Sequence, residues 1–280
     1  MDQPFTEEEQ GRDPLTTRLR LWQSSAVQAV GRFVYPPRCP VSDRLVQRHD
    51  TLAPEIWSQL KFLAPPWCAA CGWPFPHEGT AQPLCVTCAA PDRFRERLTG
   101  PRRLDQYRAA LAYDDVISGG ILKLKYADRS DGVALFARLM MQAGREILTP
   151  DSVLVPVPLH PSRLAQRRYN QAGLLAAAIG RQASLDVLPR AVRRARKTPP
   201  QKGGSRQDRA RNVRGAFALR QPERIEGRTV VLIDDVLTTG ATLLACARLL
   251  RGAGAAKVHG LTLARVVTGG QTALYEDVKE

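Results

Sequence analysis

The stretch Thr229-Val-Val-Leu-Ile-Asp-Asp-Val-Leu-Thr-Thr-Gly-Ala-Thr242 predicts a buried strand that leads through a polar turn into a helix. Its apolar run, Val230 to Ile233, shows no alternation of apolar and polar residues, which is typical of a strand buried on both faces of a parallel sheet. Small and hydroxylated residues follow, and from Leu243 the apolar residues recur at helical spacing. The stretch therefore indicates one strand–turn–helix unit of an α/β fold.

Two aspartates stand where the predicted strand ends. Asp234 and Asp235 fall at the carboxyl end of the strand, which is where open α/β sheets bind ligands. Their ionised oxygens only accept hydrogen bonds, so they suit a vicinal diol such as that of ribose, either directly or through a hydrated Mg²⁺. The simplest alternative is a structural strand–turn–helix in which these aspartates only cap.

The turn after the aspartates has the composition of a phosphate-binding loop. A turn that leads into a helix directs free backbone N–H groups at one point, where the helix dipole favours an anion. Gly240 allows the backbone to approach a phosphate closely, and threonine hydroxyls can donate to its oxygens. The residues of this turn are Thr238, Thr239, Gly240, Ala241 and Thr242. The turn is not a Walker A loop, because it lacks a Gly-Lys-Ser/Thr sequence.

Composition restricts the classes of protein that the chain can represent. Its 280 residues are enough for one large or two unequal domains with a proper core. We expect a cytoplasmic protein, because no apolar run approaches the ~20 residues that span a bilayer and the acidic N-terminus lacks the apolar segment of a secretory signal. The formal charge of +14 calls for a polyanionic partner or substrate, either nucleic acid or a phosphorylated small molecule.

Four cysteines form two closely spaced pairs. The sequences Cys68-x-x-Cys71 and Cys85-x-x-Cys88 each supply two thiolates from one tight turn, and two such turns close a tetrahedral site for a structural zinc ion. Disulfide bonds are disfavoured in a cytosolic chain, and a redox motif would not occur as two pairs. The bound metal would contribute on the order of 10 kcal/mol to the apparent folding free energy of this module.

Strand and helix patterns alternate from about residue 93 onward, which predicts a parallel sheet wound by helices. The predicted strands are residues 104–113, 153–160, 213–219, 229–233 and 257–265. The predicted helices are residues 114–126, 132–148, 161–179 and a helix that follows the turn at 238–242, with an additional amphipathic helix at 18–34. The domain assignment is a tail and helix at 1–35, a zinc-ribbon module at 36–92 with a degenerate upstream half, and the larger domain at 93–280.

Two further segments have features of anion-binding loops. The strand at Val153-Leu-Val-Pro-Val-Pro-Leu-His160 is stiffened by prolines and leads into a donor-rich segment, Pro161 to Gln171. The alternative for this segment is a plain helix start with surface arginines. Residues 198–211 are basic and irregular, which suits a mobile lid that excludes water from a phosphate-rich site. The alternative for the second segment is an exposed linker.

Several motifs occur together in a distinctive order. They are the Cys₄ module, Val-Pro-Val-Pro-Leu-His-Pro, Arg-Tyr-Asn-Gln, Thr-Pro-Pro-Gln, Arg-Asn-Val-Arg-Gly-Ala-Phe and Asp-Asp-Val-Leu-Thr-Thr-Gly-Ala-Thr. The last motif resembles the 5-phosphoribosyl-1-pyrophosphate (PRPP) motif of type I phosphoribosyltransferases. The whole set, from about residue 32 to 265, resembles the ComF family. The resemblance implies a type I phosphoribosyltransferase fold preceded by a zinc ribbon, and an association with DNA uptake during natural transformation.

The resemblance also implies roles for individual residues. Asp234 and Asp235 would hold the ribose diol and organise Mg²⁺, while the turn from Thr238 to Thr242 would hold the 5′-phosphate. Arg206 and Arg209 would act in a flexible catalytic loop. The residues expected to grip pyrophosphate are Lys125, with help from Lys123, and His160, Arg163, Arg167, Arg168, Tyr169 and Asn170.

One departure from the family pattern concerns the upstream half of the zinc module. Many relatives carry a second pair of Cys-x-x-Cys motifs there, whereas the matching positions of this chain are Cys39, Ser42, Ala53 and Ile56. Since a single thiolate cannot hold zinc in a four-ligand site, we predict one zinc ion rather than two. The side chains expected to pack this half together are Ile56, Trp57, Leu60 and Phe62.

Two functions are compatible with the sequence. In the first, PRPP and Mg²⁺ bind, pyrophosphate leaves C1′ through an oxocarbenium-like transition state, and an unknown nucleophile adds, which is a pentosyl transfer. In the second, the same basic cleft binds PRPP, a nucleotide or single-stranded DNA without catalysis. The sequence specifies neither the acceptor nor the oligomeric state.

Overall fold

The computed structural model describes residues 35–75, 83–89, 98–100, 103–126, 132–159, 161–195 and 215–267, with the backbone alone for Arg163 and Gln166. Within these ranges the strands are β1 (Tyr107–Ala112), β2 (Ser152–Pro156), β3 (Asp186–Val187), β4 (Val192–Arg194), β5 (Phe217–Leu219), β6 (Thr229–Leu237) and β7 (Lys257–Arg265). The helices are α1 (Pro54–Gln59), α2 (Val86–Ala89), α3 (Asp115–Tyr126), α4 (Val133–Ala143), α5 (Pro161–Arg167), α6 (Gln171–Ala183) and α7 (Ala241–Gly252), with a 3₁₀ turn at Pro222–Arg224.

A parallel sheet in the order β1-β7-β6-β2-β3 forms the centre of the fold, and β4 and β5 form a separate antiparallel pair. The central strand, β6, lies between β7 and β2. Its side chains alternate between two cores: Val231 and Ile233 pack with α4 and α6, whereas Val230 and Leu232 pack with α7. Each fully buried aliphatic side chain contributes about 1.5–3 kcal/mol. The strand that carries the two aspartates is therefore held from both faces.

The predicted α/β class and its parallel sheet are confirmed. Two differences concern the ends of elements. β6 continues through both aspartates to Leu237, because Leu237 still pairs with Arg265 of β7. The helix predicted at 161–179 is two helices, because Arg168 adopts a left-handed conformation with φ of 64° just after α5.

Some predicted features fall outside the described residues. They are the helix at residues 18–34, the basic segment at 198–211 with Arg206 and Arg209, the residue His160, and the side chain of Arg163. In the part of the chain that the structure describes, no helix combines the length and the apolar character that crossing a membrane requires.

A segment of the N-terminal module covers the edge of the sheet. β1 is an outer strand, and residues 61–63 pair with it: the N–H of Ala112 donates to the Lys61 carbonyl (2.8 Å) and the N–H of Leu63 donates to the Ala110 carbonyl (2.9 Å). An exposed strand edge invites pairing with other chains. This segment therefore protects the edge and joins the N-terminal module to the sheet.

The predicted apolar packing of the upstream half is correct for two of its four side chains. Leu60 is buried, and Ile56 packs partly against the main core. Trp57 and Phe62 contact each other, with 5.0 Å between ring centroids, but they stay 51% and 40% exposed. Leu60 and Leu63 both turn inward, which leaves Phe62 on the outer side. The other buried side chains of this half are Cys39, Val41 and Ala53.

Candidate functional site

The two aspartates of β6 lie side by side at the tip of the central strand. The N–H of Asp235 donates to Asp234 Oδ1 (2.9 Å), and the N–H of Val236 donates to Asp235 Oδ1 (2.7 Å). Each carboxylate is thus held by the next backbone amide. Lys125, in the last turn of α3, approaches with 3.3 Å between its Nζ and Asp235 Oδ2. Two acidic groups and one basic group therefore meet at this tip.

The electrostatics of this carboxylate pair favour positive charge beside it. Burial raises the pKa of Asp234 well above its usual value, and the neighbouring charge of Asp235 raises it further. The charge of Lys125 lowers the same pKa, but its influence is smaller. A divalent cation would relieve both the burial of the charge and the repulsion between the carboxylates, and Mg²⁺ prefers such oxygen ligands. The pair therefore has the charge and the donor atoms for Mg²⁺.

The turn after β6 presents the amino end of α7. Gly240 precedes the helix with φ of 74°, and a Cβ there would lie 2.8 Å from Leu98 Cδ1, so any other residue would be strained and too close. The N–H of Ala241 donates to Thr239 Oγ1 (3.5 Å), and Thr238 is exposed. Backbone N–H groups in the first turn of a helix have no partner within the helix. The free backbone N–H groups at the start of α7 therefore lie beside this turn, where they could donate to an anion.

The chain leaves β2 directly beside the aspartates. The N–H of Val157 donates to the carbonyl of Ile233 (2.9 Å), the residue before Asp234. Asn170 fixes this exit, because its Nδ2 donates to the Val157 carbonyl (3.0 Å). The Asn170 amide nitrogen thus holds the backbone of the loop that was expected to grip pyrophosphate. A direct contact of that nitrogen with a phosphate would have to replace this hydrogen bond.

The other residues expected to grip pyrophosphate lie in two places. Arg167 donates from Nη1 to Gln171 Oε1 (3.3 Å), which ties it to the start of α6. Arg168 is exposed and Tyr169 is half-buried, both in the break between α5 and α6. Lys125 lies apart from these residues, against Asp235. Of the residues expected to grip pyrophosphate, Lys125 is the one whose contact with the aspartate pair is established.

Lys123, which was expected to help Lys125 hold pyrophosphate, contacts the N-terminal module instead. Its Nζ donates to the carbonyl of Val41 (2.9 Å) and lies 2.8 Å from Asp43 Oδ2. Residues two apart on a helix do not face the same side, so one lysine points to the N-terminal module and the other to the aspartates. α3 therefore connects the upstream half of the module to the tip of β6.

The four cysteines of the predicted metal site come together. Their Sγ atoms all lie within 4.8 Å of one another, and those of Cys71 and Cys85 are 3.6 Å apart. Zn–S bonds of ~2.3 Å in a tetrahedron place the sulfur atoms roughly 3.8 Å apart. The spacing and the donor chemistry therefore fit one structural Zn²⁺. Its ligands would be Cys68, Cys71, Cys85 and Cys88.

A buried arginine of β1 ties this cluster to the sheet. Arg108 is 1% exposed. It donates from Nη2 to the Ala69 carbonyl (2.9 Å) and to Glu146 Oε2 (2.6 Å), and from Nη1 to the Tyr107 carbonyl (2.9 Å). Its guanidinium also lies over the ring of Trp67, 5.1 Å from the centroid. Since a buried charge is costly without partners, the Ala69 carbonyl and the Trp67 ring of the cysteine module stabilise Arg108 together with Glu146 and Tyr107.

A second buried arginine makes a matching link from β7. Arg265 donates from Nη1 to the Cys71 carbonyl (2.6 Å). Its charge lies 5.3 Å from the ring centroid of Tyr107, whose hydroxyl is hydrogen-bonded to that of Thr262. Thr262 is the residue of β7 that pairs with Asp234. A continuous set of contacts therefore runs from a metal-binding cysteine to the aspartate pair.

The upstream half keeps the shape of a metal-binding turn around one thiol. The N–H of Ser42 donates to Cys39 Sγ (3.5 Å). In the downstream half the N–H of Cys71 donates to Cys68 Sγ (3.5 Å), again three residues along the chain from the sulfur. The Ser42 hydroxyl is buried and has no hydrogen-bond partner. Among the described residues, one group of three or more potential ligands lies close enough to share a metal. That group is Cys68, Cys71, Cys85 and Cys88.

Metal analysis of the purified protein tests the prediction of one zinc ion. We expect about one zinc per chain, and Cys85→Ser is expected to lower the content towards zero, because three thiolates leave the site incomplete. The matched control is Cys39→Ser, which makes the same change in the upstream half and is expected to leave the zinc content unchanged. A content near two in the wild type, or loss of zinc from the Cys39 variant, would contradict the prediction.

Sequence reasoning missed the arginines that surround the site. Arg108 and Arg265 interrupt apolar strands, which indicates that each has a buried partner but does not identify that partner.

The alternation of apolar and basic residues near 188–196 indicated only a charged segment. In the structure it contributes three of the four arginines around one cavity, which are Arg190, Arg193, Arg194 and Arg220.

Comparison with known proteins agrees with this architecture. Residues 172–277 match the phosphoribosyl transferase domain family, and residues 30–89 match the double zinc ribbon domain family. The chain is 32% identical over 199 residues to DNA utilization protein YhgH of Escherichia coli, which covers 67% of this chain and 86% of that protein. It is 28% identical over 211 residues to Competence protein ComFC of Bacillus subtilis, with coverage of 74% and 81%.

A further relative is Competence protein F of Haemophilus influenzae, with 37% identity over 135 residues that cover 46% of this chain and 59% of that protein. The fold, the Cys₄ cluster and these matches define a zinc-ribbon protein with a phosphoribosyltransferase domain. The chain belongs to the ComF family. The fold and the zinc ribbon expected from the sequence are thereby confirmed.

Proposed function

We propose that this protein binds PRPP with Mg²⁺ at the tip of β6 and the amino end of α7, and that it transfers the phosphoribosyl group. The observation that carries the proposal is the carboxylate pair followed, five residues after Asp235, by Gly240, directly after which a helix begins. Asp234 and Asp235 would accept from the ribose hydroxyls, and residues 238–242 would donate to the 5′-phosphate. The match to phosphoribosyl transferase domains supports this assignment.

Mg²⁺ fits the donor set, because it is bound in proteins by one or two carboxylates together with substrate phosphates. Asp234 and Asp235 are the residues that would hold it. When bound, the ion supplies positive charge beside the phosphate oxygens. The raised pKa of Asp234 means that the carboxylate pair has a strong tendency to take up positive charge, either as a proton or as a cation.

The proposed reaction breaks the bond between C1′ and the pyrophosphate oxygen and forms a bond between C1′ and the acceptor. The electron pair of the broken bond leaves with pyrophosphate, and the acceptor contributes the pair for the new bond. Positive charge develops on the sugar, where Asp234 and Asp235 would stabilise it. Lys125 pairs with Asp235 in the structure. Because a phosphate oxygen of the ligand is also anionic, the Lys125 ammonium group would donate to that oxygen when the ligand is bound.

A role in the use or uptake of DNA is the second part of the proposal. The relatives include a DNA utilization protein and two competence proteins, and the net charge of +14 favours a polyanion. Single-stranded DNA in the same basic cleft would accompany the phosphoribosyl chemistry or replace it. Its affinity should then fall linearly with salt on logarithmic axes, and an affinity independent of salt would exclude this part.

Isothermal titration of PRPP in the presence of Mg²⁺ tests the first part. Asp235→Asn is expected to weaken PRPP binding at least about tenfold, because contacts of a charged group contribute roughly 1.5–3 kcal/mol and 1.4 kcal/mol is tenfold. The matched control is Asp186→Asn, an exposed acid whose carboxylate lies 3.6 Å from Arg228 on the surface. Equal affinity in the wild type and the Asp235 variant would count against the site.

A further inference from the structure

A cavity of about 360 Å³ lies between the end of β2, the start of α5 and the strand β4. Pro158 and Leu159 line it from the loop that follows β2, Leu164 from α5, and Val192 from β4. These residues form an apolar wall. The volume is within the range of sites that hold a small organic ligand.

The opposite side of the cavity is formed by guanidinium groups. Arg190, Arg193 and Arg220 are exposed, and no carboxylate among the described residues pairs with them. Arg194 is half-buried and lies over the ring of Phe217, 5.4 Å from its centroid. Within the described part of the chain, no acidic side chain lines this cavity. The three exposed positive charges around one concave space repel one another, and an anion between them would remove that repulsion.

Backbone pairing keeps these arginines together. Val192 pairs with Leu219 in the antiparallel β4–β5 pair, and the N–H of Arg220 donates to the Ala191 carbonyl (2.8 Å). Arg220 is therefore fixed next to the segment that carries Arg193. A charged run is usually a solvated surface, but here the side chains come from two separate segments and line the same cavity. Convergence on a concave surface is the feature that distinguishes a binding site from a solvated strand.

We propose that this cavity binds a nucleoside monophosphate, as a site separate from the cradle formed by β6 and α7. Arginine is the side chain best suited to phosphate, because its planar group donates two parallel hydrogen bonds. The apolar wall of prolines and leucines would cover one face of the heterocycle, and a guanidinium plane can stack on the other. The ligand could be a free nucleotide or the phosphorylated end of a single strand, since both present the same chemistry.

The cavity adjoins the proposed PRPP site without sharing its acidic groups. Asn170 lines the cavity and holds the Val157 carbonyl, and Val157 itself is bound to Ile233 beside Asp234. A ligand in the cavity would therefore touch the loop that leaves β2, whereas Asp234 and Asp235 are absent from its lining. This site goes beyond the proposed function, because its arginines, Arg193 and Arg220, are not among the residues assigned to PRPP, although it shares Asn170 with the loop expected to grip pyrophosphate.

Isothermal titration of the full chain with adenosine 5′-monophosphate, adenosine and a short 5′-phosphorylated single strand tests the proposal. Adenosine is expected to bind at least tenfold more weakly than its monophosphate. The double variant Arg193→Gln/Arg220→Gln is expected to weaken binding of the monophosphate at least tenfold and to leave the PRPP affinity unchanged. The matched control is Arg181→Gln, which removes an exposed arginine of α6 and is expected to change neither affinity.

The outcomes separate the sources of the ligand and the two sites. Tighter binding of the single strand than of the monophosphate, with the same dependence on Arg193 and Arg220, identifies a strand end; the reverse order identifies a free nucleotide. The proposal is overturned if neither probe binds at millimolar concentration, or if the double variant binds as the wild type does. It is also overturned if Asp235→Asn abolishes monophosphate binding, because the probe would then occupy the PRPP cradle. Equal melting temperatures of wild type and double variant confirm that both are folded.

Discussion

Replacing Asp234 by asparagine is expected to raise the melting temperature of this protein and to abolish the proposed binding of PRPP with Mg²⁺. Asp234 is half-buried at the end of β6, and the loss of solvent around its carboxylate, together with the neighbouring charge of Asp235, raises its pKa well above the usual value. Asparagine removes the charge and keeps an oxygen for the N–H of Asp235, which donates to Asp234 at 2.9 Å. The free energy of unfolding should therefore increase, while the carboxylate proposed to hold Mg²⁺ is lost. Such a trade-off between stability and activity is common where function requires a destabilising charge.

The pH dependence of this gain follows from the direction of the pKa shift. The unfolded chain releases the Asp234 proton at a lower pH than the folded chain does. Ionisation therefore destabilises the folded state as the pH rises through the raised pKa, and the penalty is absent below the unfolded pKa. Since asparagine stays neutral, its advantage in melting temperature should be largest above the raised pKa and should vanish at acidic pH. Each kcal/mol gained corresponds to roughly 2–4 °C.

Thermal melts of wild type and Asp234→Asn over a pH series measure this difference. The matched control is Asp186→Asn, which neutralises an exposed acid of β3 and should change the melting temperature little at any pH. A melting temperature of Asp234→Asn at neutral pH below that of the wild type would show that the carboxylate stabilises the fold. The same variant is titrated with PRPP and Mg²⁺, where retained affinity would remove Asp234 from the proposed site.

Removing zinc is expected to disrupt the proposed PRPP site, although the four cysteines that would hold the metal lie outside it. Zinc supplies on the order of 10 kcal/mol to the folding of such a module, which is comparable to the whole stability of a typical domain. Without the module, Arg108 and Arg265 lose the carbonyls of Ala69 and Cys71 as acceptors. Each lost hydrogen bond of a buried charge costs roughly 1.5–3 kcal/mol. Strand β7, which pairs with Asp234 through Thr262, would lose its support on one side.

The experiment uses a zinc-selective chelator that is removed by gel filtration before Mg²⁺ and PRPP are added. We expect a lower melting temperature and weaker PRPP binding, both restored by stoichiometric zinc. The variant Arg265→Gln distinguishes loss of the metal from loss of the hydrogen bond between Arg265 and the Cys71 carbonyl. It should keep its zinc, melt several degrees lower and bind PRPP more weakly. The matched control is Arg248→Gln, an exposed arginine of α7 that donates to Leu244 of its own helix (3.1 Å). Full PRPP affinity in zinc-free protein would refute the coupling.

The predictable features of this fold are those whose parts lie close together in the sequence. The buried strand, the aspartates and the turn before α7 occupy fourteen consecutive residues, so local pattern and turn chemistry are sufficient to predict them. Likewise, the two Cys-x-x-Cys motifs specify a metal-binding turn each, and the structure brings them together. The extent of β6 was less predictable, because pairing with β7 carries the strand past two acids that usually end one.

The features that could not be predicted join residues that are far apart along the chain. Arg108 and Ala69 are 39 residues apart, Arg265 and Cys71 are 194 apart, and Lys123 and Val41 are 82 apart. Nothing local to an arginine in an apolar strand indicates which carbonyl will accept its hydrogen bond. Only the folded sheet brings these groups together, which is why the contact of Lys123 with the N-terminal module was not anticipated. The arginine cavity was missed for the same reason, since Arg220 reaches it from a separate segment.

The two halves of the N-terminal module differ in what holds them. Cys39, with Val41, Ala53 and Leu60, is buried in the large core shared with α4 and β1, whereas the four clustered cysteines form a small cluster of their own. Apolar burial supplies the upstream half with folding energy that does not depend on any ion. The upstream half can therefore stay folded with a single thiol, whereas depletion of zinc would unfold the downstream half first.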